Sequence, residues 1–138
     1  MRVHLCRHAA SAPGEPDALR ALTPAGVEQA RALGRLLRDA DDPPAVVLTS
    51  PLLRARQTAE LVAQELQVTV LVDTRLSPGA TAAALAQALV GLRGPVAVVG
   101  HQPDCSEIAL ALTGDDPGFP VGATAPVDLA VEGEDEPA

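Results

Sequence analysis

Aromatic side chains are almost missing from this chain: there is no Trp, no Tyr, and a single Phe, Phe119. A core must therefore be assembled from Leu, Val and Ala, small residues that suit helices packed closely against a sheet. Lysine is absent as well, so all ten basic residues are arginines, whose planar guanidinium grips an oxyanion through paired hydrogen bonds. Eighteen acidic residues outweigh them and leave a net charge of -8. That balance excludes the dense basic surface a nucleic-acid partner requires. Any capacity for anions has to be local.

Cysteine is scarce too. Cys6 and Cys105 are too few for a disulfide framework and read as reduced, Cys6 in a strand core and Cys105 as a small buried filler. No apolar run approaches the roughly 20 residues needed to span a bilayer, which argues against a membrane role. Met1 leads into a strand with no charged leader or small-residue cleavage site, and on this the protein is expected to be cytoplasmic. At 138 residues the chain suits one core. We expect a single domain over residues 1–131 and a solvated, disordered acidic tail over 132–138, "EGEDEPA".

What is present alternates. Arg2–Arg7 reads as a strand, followed by a loop, "SAPGEPDALRAL", long enough to cover a site. "TPAGVEQARALGRLLRDA" predicts a helix capped by Thr23 with Pro24 as its first residue, Val27, Ala30, Leu33 and Leu37 forming one face. "AVVLTS" predicts a short buried strand, and "PLLRARQTAELVAQEL" a helix with Ser50 as cap and Pro51 as first residue. "VTVLV" is a third strand, Thr81–Leu92 an Ala/Leu-rich helix, "PVAVVG" a fourth strand, and Asp104–Thr113 a short helix ended by Gly114. "ATAPVDLAV" can add a last strand. The pattern predicts an α/β domain, a three-layer α/β/α sandwich on a mainly parallel sheet, whose ligands bind beyond the carboxyl ends of the strands.

The residues just past those ends are chemically selective. Strand one delivers Arg7 and His8, strand two Ser50 and Pro51 with Arg54 a turn later, and strand four Gly100 and His101. In a parallel sheet they share one edge. Two arginines and two histidines converging there describe a phosphate site with a nucleophile, because phosphoryl transfer needs preorganised donors around the equatorial oxygens and an in-line attacking atom. His8 attacks through one ring nitrogen if the other is held by a carbonyl. His101, expected to be protonated in that anionic surrounding, completes the cradle. Ser11 is a further candidate donor to phosphate, although a turn role accounts for it equally. Gln57 and Thr58 read as packing residues, and Arg54 has the alternative of pairing with Glu60. His4 and His8 share a strand face but lack further ligands, so no metal is expected.

"LCRHA", "TSPLLRARQTAE" and "VGHQP" together resemble, in order and spacing, the three motifs of the histidine phosphatase superfamily, also called phosphoglycerate mutase-like. The resemblance runs from Met1 to about Thr113. It implies the phosphoglycerate mutase-like fold, a cofactor-independent phosphatase, phosphorylation of His8 during turnover, and a phosphate pocket of Arg7, His8, Arg54 and His101. The small size, the lack of a helical insertion over the site, "LTPAGVEQA" and "RLSPGAT" make the chain similar to the SixA-type phosphohistidine phosphatases of that superfamily.

Two departures stand out. The family usually has Gly after the nucleophile, where this chain has Ala9, so a strict need for positive φ there is doubtful. The general acid is also displaced: mutase-like members carry Glu after the third strand, where "VDTRLSPG" puts Arg75 with Asp73 nearby, and acid phosphatases carry Asp directly after the second histidine, where "HQPD" delays it to Asp104. Asp73 and Asp104 are the candidate acids, Asp104 alternatively a helix cap. A missing acid suits a phosphohistidine substrate, whose imidazole leaves more readily than an alkoxide. The expected partner is accordingly a phosphorylated protein histidine, on a phosphotransfer domain for example. A small phosphate ester is the alternative substrate, and a non-catalytic phosphate-binding or interaction module the alternative class.

Overall fold

The structure, a computed structural model, describes residues 1–131; the acidic tail expected over 132–138 lies outside the described residues. Five strands form one sheet: β1 (Arg2–Arg7), β2 (Val46–Thr49), β3 (Val70–Val72), β4 (Val96–Gly100) and β5 (Thr124–Asp128). Four α-helices alternate with the first four strands: α1 (Pro24–Arg38), α2 (Leu53–Leu66), α3 (Ala82–Leu89) and α4 (Asp104–Thr113). The strand order is β3-β2-β4-β1-β5. β1 to β4 run parallel, and β5 returns antiparallel along β1. The three-layer α/β/α architecture on a mainly parallel sheet expected from the sequence is the one observed.

Both faces of the sheet are buried, as parallel sheets require. On one face Cys6, Val47, Ala97 and Val99 meet Leu33 and Leu37 of α1 and Ala55, Ala59, Val62 and Ala63 of α2. On the other, Val3, Leu5, Val96 and Val98 meet Leu85 and Leu89 of α3 and Ile108 and Ala109 of α4. Alanines at the helix contacts let the backbones come close, which is how a chain so poor in aromatics fills its interior. Both cysteines are buried and free, on opposite faces.

Helix starts follow local chemistry where the cap side chain is not needed elsewhere. Thr23 Oγ1 accepts from the Gly26 N–H ahead of Pro24, and Thr81 Oγ1 from the Ala84 N–H. Two boundaries differ from expectation. α2 begins at Leu53, with Leu52 at its cap and no side-chain capping bond; the Ser50 hydroxyl instead accepts from the Leu52 N–H ahead of the helix and meets His101. α3 ends at Leu89, earlier than the predicted Leu92, since Val90 leaves helical geometry and Gly91 takes φ of 83°.

The register brings the motifs level. Arg7 pairs with Gly100 across β1 and β4, and Thr49 with Val99 across β2 and β4. The next residue in each strand is His8, His101 or Ser50. Adjacent β1, β4 and β2 thus present one edge. The loop between β1 and α1, irregular in expectation, contains a 3-10 turn over Asp17–Leu19 that lies against α2.

Candidate active site

The segment after β1 is fixed atom by atom. The His8 N–H donates to Gly100 O (3.0 Å), and His8 O accepts from the Gly122 N–H (3.1 Å). Ala9 is fully buried; its N–H donates to Thr58 Oγ1 at 3.0 Å, and Thr58 Oγ1 donates to Arg54 O at 2.8 Å. One threonine thus ties the segment after β1 to the first turns of α2. Ala10 is held from α1, its N–H donating to Gln29 Oε1 (2.9 Å) and its carbonyl accepting from the Thr23 N–H (3.0 Å). Ala9 does not adopt positive φ, Gln67 being the one non-glycine residue that does so among the described residues. The methyl group therefore sits without backbone strain in the place where glycine is usual.

His8 is almost wholly buried, and its Nδ1 lies 2.8 Å from Ala9 O. A carbonyl only accepts, so Nδ1 carries the proton and Nε2 keeps its lone pair. Burial pushes the His8 pKa below its usual 6.5, the Ala9 carbonyl works against this, and the charges of Arg54, Arg7 and Arg20 press it further down. The ring is therefore neutral at neutral pH, with its lone pair on Nε2.

Arg7 and Arg54 stand beside it. Arg7 Nη1 donates to Phe119 O (3.0 Å), while its Nε is buried without a hydrogen-bond partner among the described residues. Arg54, also buried, donates through Nη1 to Asp17 O (3.0 Å) and through Nη2 to Asp17 Oδ2 (3.4 Å). The acidic partner of Arg54 comes from the loop rather than from Glu60 on its own helix. A guanidinium has five N–H groups, so most of the donors of both arginines remain for an anion.

The His101 ring centroid lies 5.3 Å from that of His8. Its Nε2 is 2.7 Å from Ser50 Oγ, and its Nδ1 is buried without a partner among the described residues. The expectation that His101 is protonated is corrected here: burial first, then the charges of His8 and Arg54, push its pKa down to about 4, Asp17 opposing them. Arginines already supply the positive charge, and a second imidazolium among them is penalised.

The structure brings Arg7, His8, Arg54 and His101 together. Ser11 lies in the same loop with its hydroxyl accepting from Arg20 Nη2 (3.0 Å). Asp73 and Asp104 are engaged elsewhere. Asp73 caps the turn over Thr74–Leu76 and pairs with Arg75 at 2.7 Å, which holds its carboxyl below the usual range. Asp104 Oδ2 accepts from the Gly79 and Ala80 N–H groups at 2.9 and 3.1 Å, joining α4 to the loop ahead of α3.

Sequence reasoning missed Arg20 and Asp17. Arg20 donates to Ala12 O, Asp17 Oδ1 and Ser11 Oγ, and its charge reaches His8. Asp17 joins Arg20 to Arg54. The available signal was an arginine with an acid three residues before it, in the loop that follows His8.

Residues 3–78 match the histidine phosphatase superfamily (branch 1). Among solved structures, the protein histidine phosphatase SixA complexed with tungstate is similar with a TM-score of 0.84 at 29% identity, covering 97% of this chain and 92% of that one. SixA from Agrobacterium tumefaciens gives 0.78 at 29% identity over 92% of this chain and 90% of that one. SixA from Nakamurella multipartitia gives 0.74 at 27% identity over 91% and 82%. No curated protein matches the chain.

Proposed function

The chain belongs to the histidine phosphatase superfamily and is a phosphatase; from that premise we propose that it hydrolyses phosphohistidine on a protein, with His8 as the nucleophile and Arg7, Arg54 and His101 as the phosphoryl cradle. The observation that carries this reading is the His8 ring, whose Nδ1 is bound to Ala9 O so that Nε2 is the attacking atom. One similar structure, the protein histidine phosphatase SixA, is complexed with tungstate, a tetrahedral oxyanion like phosphate.

The chemistry balances without an acid from the protein. His8 Nε2 attacks phosphorus while the bond from phosphorus to the substrate imidazole breaks. A phosphohistidine protonated on its other ring nitrogen then leaves as neutral imidazole, and His8 becomes the phosphoimidazolium, its Nδ1–H still donated to Ala9 O. Water next attacks phosphorus, the P–Nε2 bond breaks, and neutral His8 and dihydrogen phosphate result. The guanidiniums of Arg7 and Arg54 hold the equatorial oxygens as charge redistributes in each step.

A phosphate ester makes a different demand, because its alkoxide must be protonated as it leaves. Asp73 is kept ionised by Arg75 and Asp104 is occupied by two backbone donors, so neither is poised to supply that proton. This favours phosphohistidine over the small-ester alternative. The test is turnover of phosphoramidate-phosphorylated histidine beside para-nitrophenyl phosphate, with His8→Ala as control. Phosphohistidine is expected to be hydrolysed faster, and by the unmodified protein alone; turnover of the ester only would overturn the substrate assignment.

A further inference from the structure

Hydrogen-bond roles around Ser50 decide where His101 keeps its proton. A serine hydroxyl offers one donor and two acceptor positions. Ser50 Oγ accepts from the Leu52 N–H at 3.2 Å and lies 2.7 Å from His101 Nε2. Ser50 is fully buried, and its hydroxyl meets no other group among the described residues. Were Nε2 to carry a proton and donate it, the Ser50 proton would be left without an acceptor among the described residues, an unfavourable arrangement for a buried hydroxyl. The reverse assignment satisfies both Ser50 and Nε2: Ser50 donates to the Nε2 lone pair, and the ring proton sits on Nδ1, where an anion in the site can accept it. Nδ1 is also the buried atom that lacks a partner among the described residues.

We propose that Ser50 is a positioning residue that fixes His101 as the neutral tautomer protonated on Nδ1, so that this histidine meets a phosphoryl oxygen as a hydrogen-bond donor and not as a cation. The proposal rests on the reading that His101 lines the phosphoryl site. Backbone bonds hold Ser50 in place, its N–H donating to Val99 O at 3.1 Å and its carbonyl accepting from Thr49 Oγ1 at 3.0 Å. β2 is thereby locked to β4 two residues before His101.

A neutral donor serves the intermediate better than a charged one. Phospho-His8 carries its ring as an imidazolium, and a cationic His101 with its centroid 5.3 Å away would repel it. The neutral Nδ1–H stabilises a phosphoryl oxygen without that repulsion. Burial and the neighbouring charges, which lower the His101 pKa, agree with the geometry.

The test is long-range proton–nitrogen correlation NMR of the three histidine rings in the full chain, with His4→Gln and His101→Gln to assign them. In the unmodified protein at neutral pH, His101 is expected to carry its proton on Nδ1 with Nε2 bare. Ser50→Ala is expected to admit the Nε2-protonated form and to lower kcat on phosphorylated histidine about 10- to 100-fold, the equivalent of one hydrogen bond to a charged oxygen. Ser50→Thr, which keeps the hydroxyl, is expected to restore both. A His101 protonated on Nε2 or on both nitrogens in the unmodified protein overturns the proposal, as does a Ser50→Ala protein with unchanged tautomer and turnover. Failure of the functional reading registers separately, as absence of turnover by the unmodified chain; the spectrum requires no substrate.

Discussion

At the scale of single residues, the attack proposed for His8 depends on the nitrogen it keeps free. Protonation of Nε2 ends nucleophilic attack, so kcat/KM is expected to fall on the acid side. Because the folded pKa lies below 6.5, the midpoint of that fall should lie below 6.5. Arg20→Met removes one of the charges that press it down and is expected to move the midpoint upward, which a pH–rate profile would show; an unmoved or lowered midpoint would count against Arg20 as a neighbour of the nucleophile. His101 links the site to stability. Above 6.5 neither the folded nor the unfolded ring is charged; between 6.5 and about 4 the unfolded chain binds a proton that the folded one refuses. Stability contributed by this group is therefore lost as pH falls through that window, which thermal melts of the unmodified protein and of His101→Gln across that range would show. Thr58 was legible only as a packing residue, since the sequence does not show that its hydroxyl holds Ala9. Thr58→Val keeps the shape but leaves the Ala9 N–H buried and unpaired. It is expected to cost about 1–3 kcal/mol in denaturant melts and to lower kcat, whereas Thr58→Ser should lose less.

Among the secondary-structure elements, what the sequence revealed was what neighbours along the chain decide. Thr23 ahead of Pro24 and Gly114 after α4 mark helix ends by local geometry. The start of α2 was misplaced because Ser50, a plausible cap, closes a turn onto the Leu52 N–H and meets a histidine from another strand, and the helix begins only at Leu53. The turn over Asp17–Leu19 was invisible for the same kind of reason, its partner being Arg54 on α2. Asp104 gives an element-scale prediction. Its carboxylate joins α4 to the Gly79–Ala80 backbone, so Asp104→Ala is expected to destabilise the fold by about 1–3 kcal/mol while leaving phosphohistidine turnover within a few-fold; a large fall in kcat with an unchanged melting temperature would make it the acid after all. Gly26 gives another. A Cβ there would collide with Ala10 O, where α1 abuts the segment that follows the nucleophile. Gly26→Ala should therefore cost roughly 1–3 kcal/mol in stability and lower turnover together with it.

For the whole molecule, an acidic chain concentrates positive charge at one edge of its sheet. The order β3-β2-β4-β1-β5 sets the three motif-bearing strands side by side, which three motifs scattered along the sequence suggest but the alternation of strands and helices alone does not. The two Leu, Val and Ala cores clamp that sheet from both sides and hold the strand ends in register, so the proposed cradle is preorganised by the fold. The same alternation made the fold legible, whereas the loop contributions of Asp17 and Arg20 depend on where the chain folds back. The central claim is that turnover passes through a phosphoryl group on His8. Mixing the protein with phosphorylated histidine, quenching rapidly in alkali and mapping phosphate by peptide mass spectrometry tests it most directly. Phosphate is expected on the peptide bearing His8 and is expected to vanish in His8→Ala; sustained turnover with phosphate on another residue, or with the His8 peptide never modified, would contradict it.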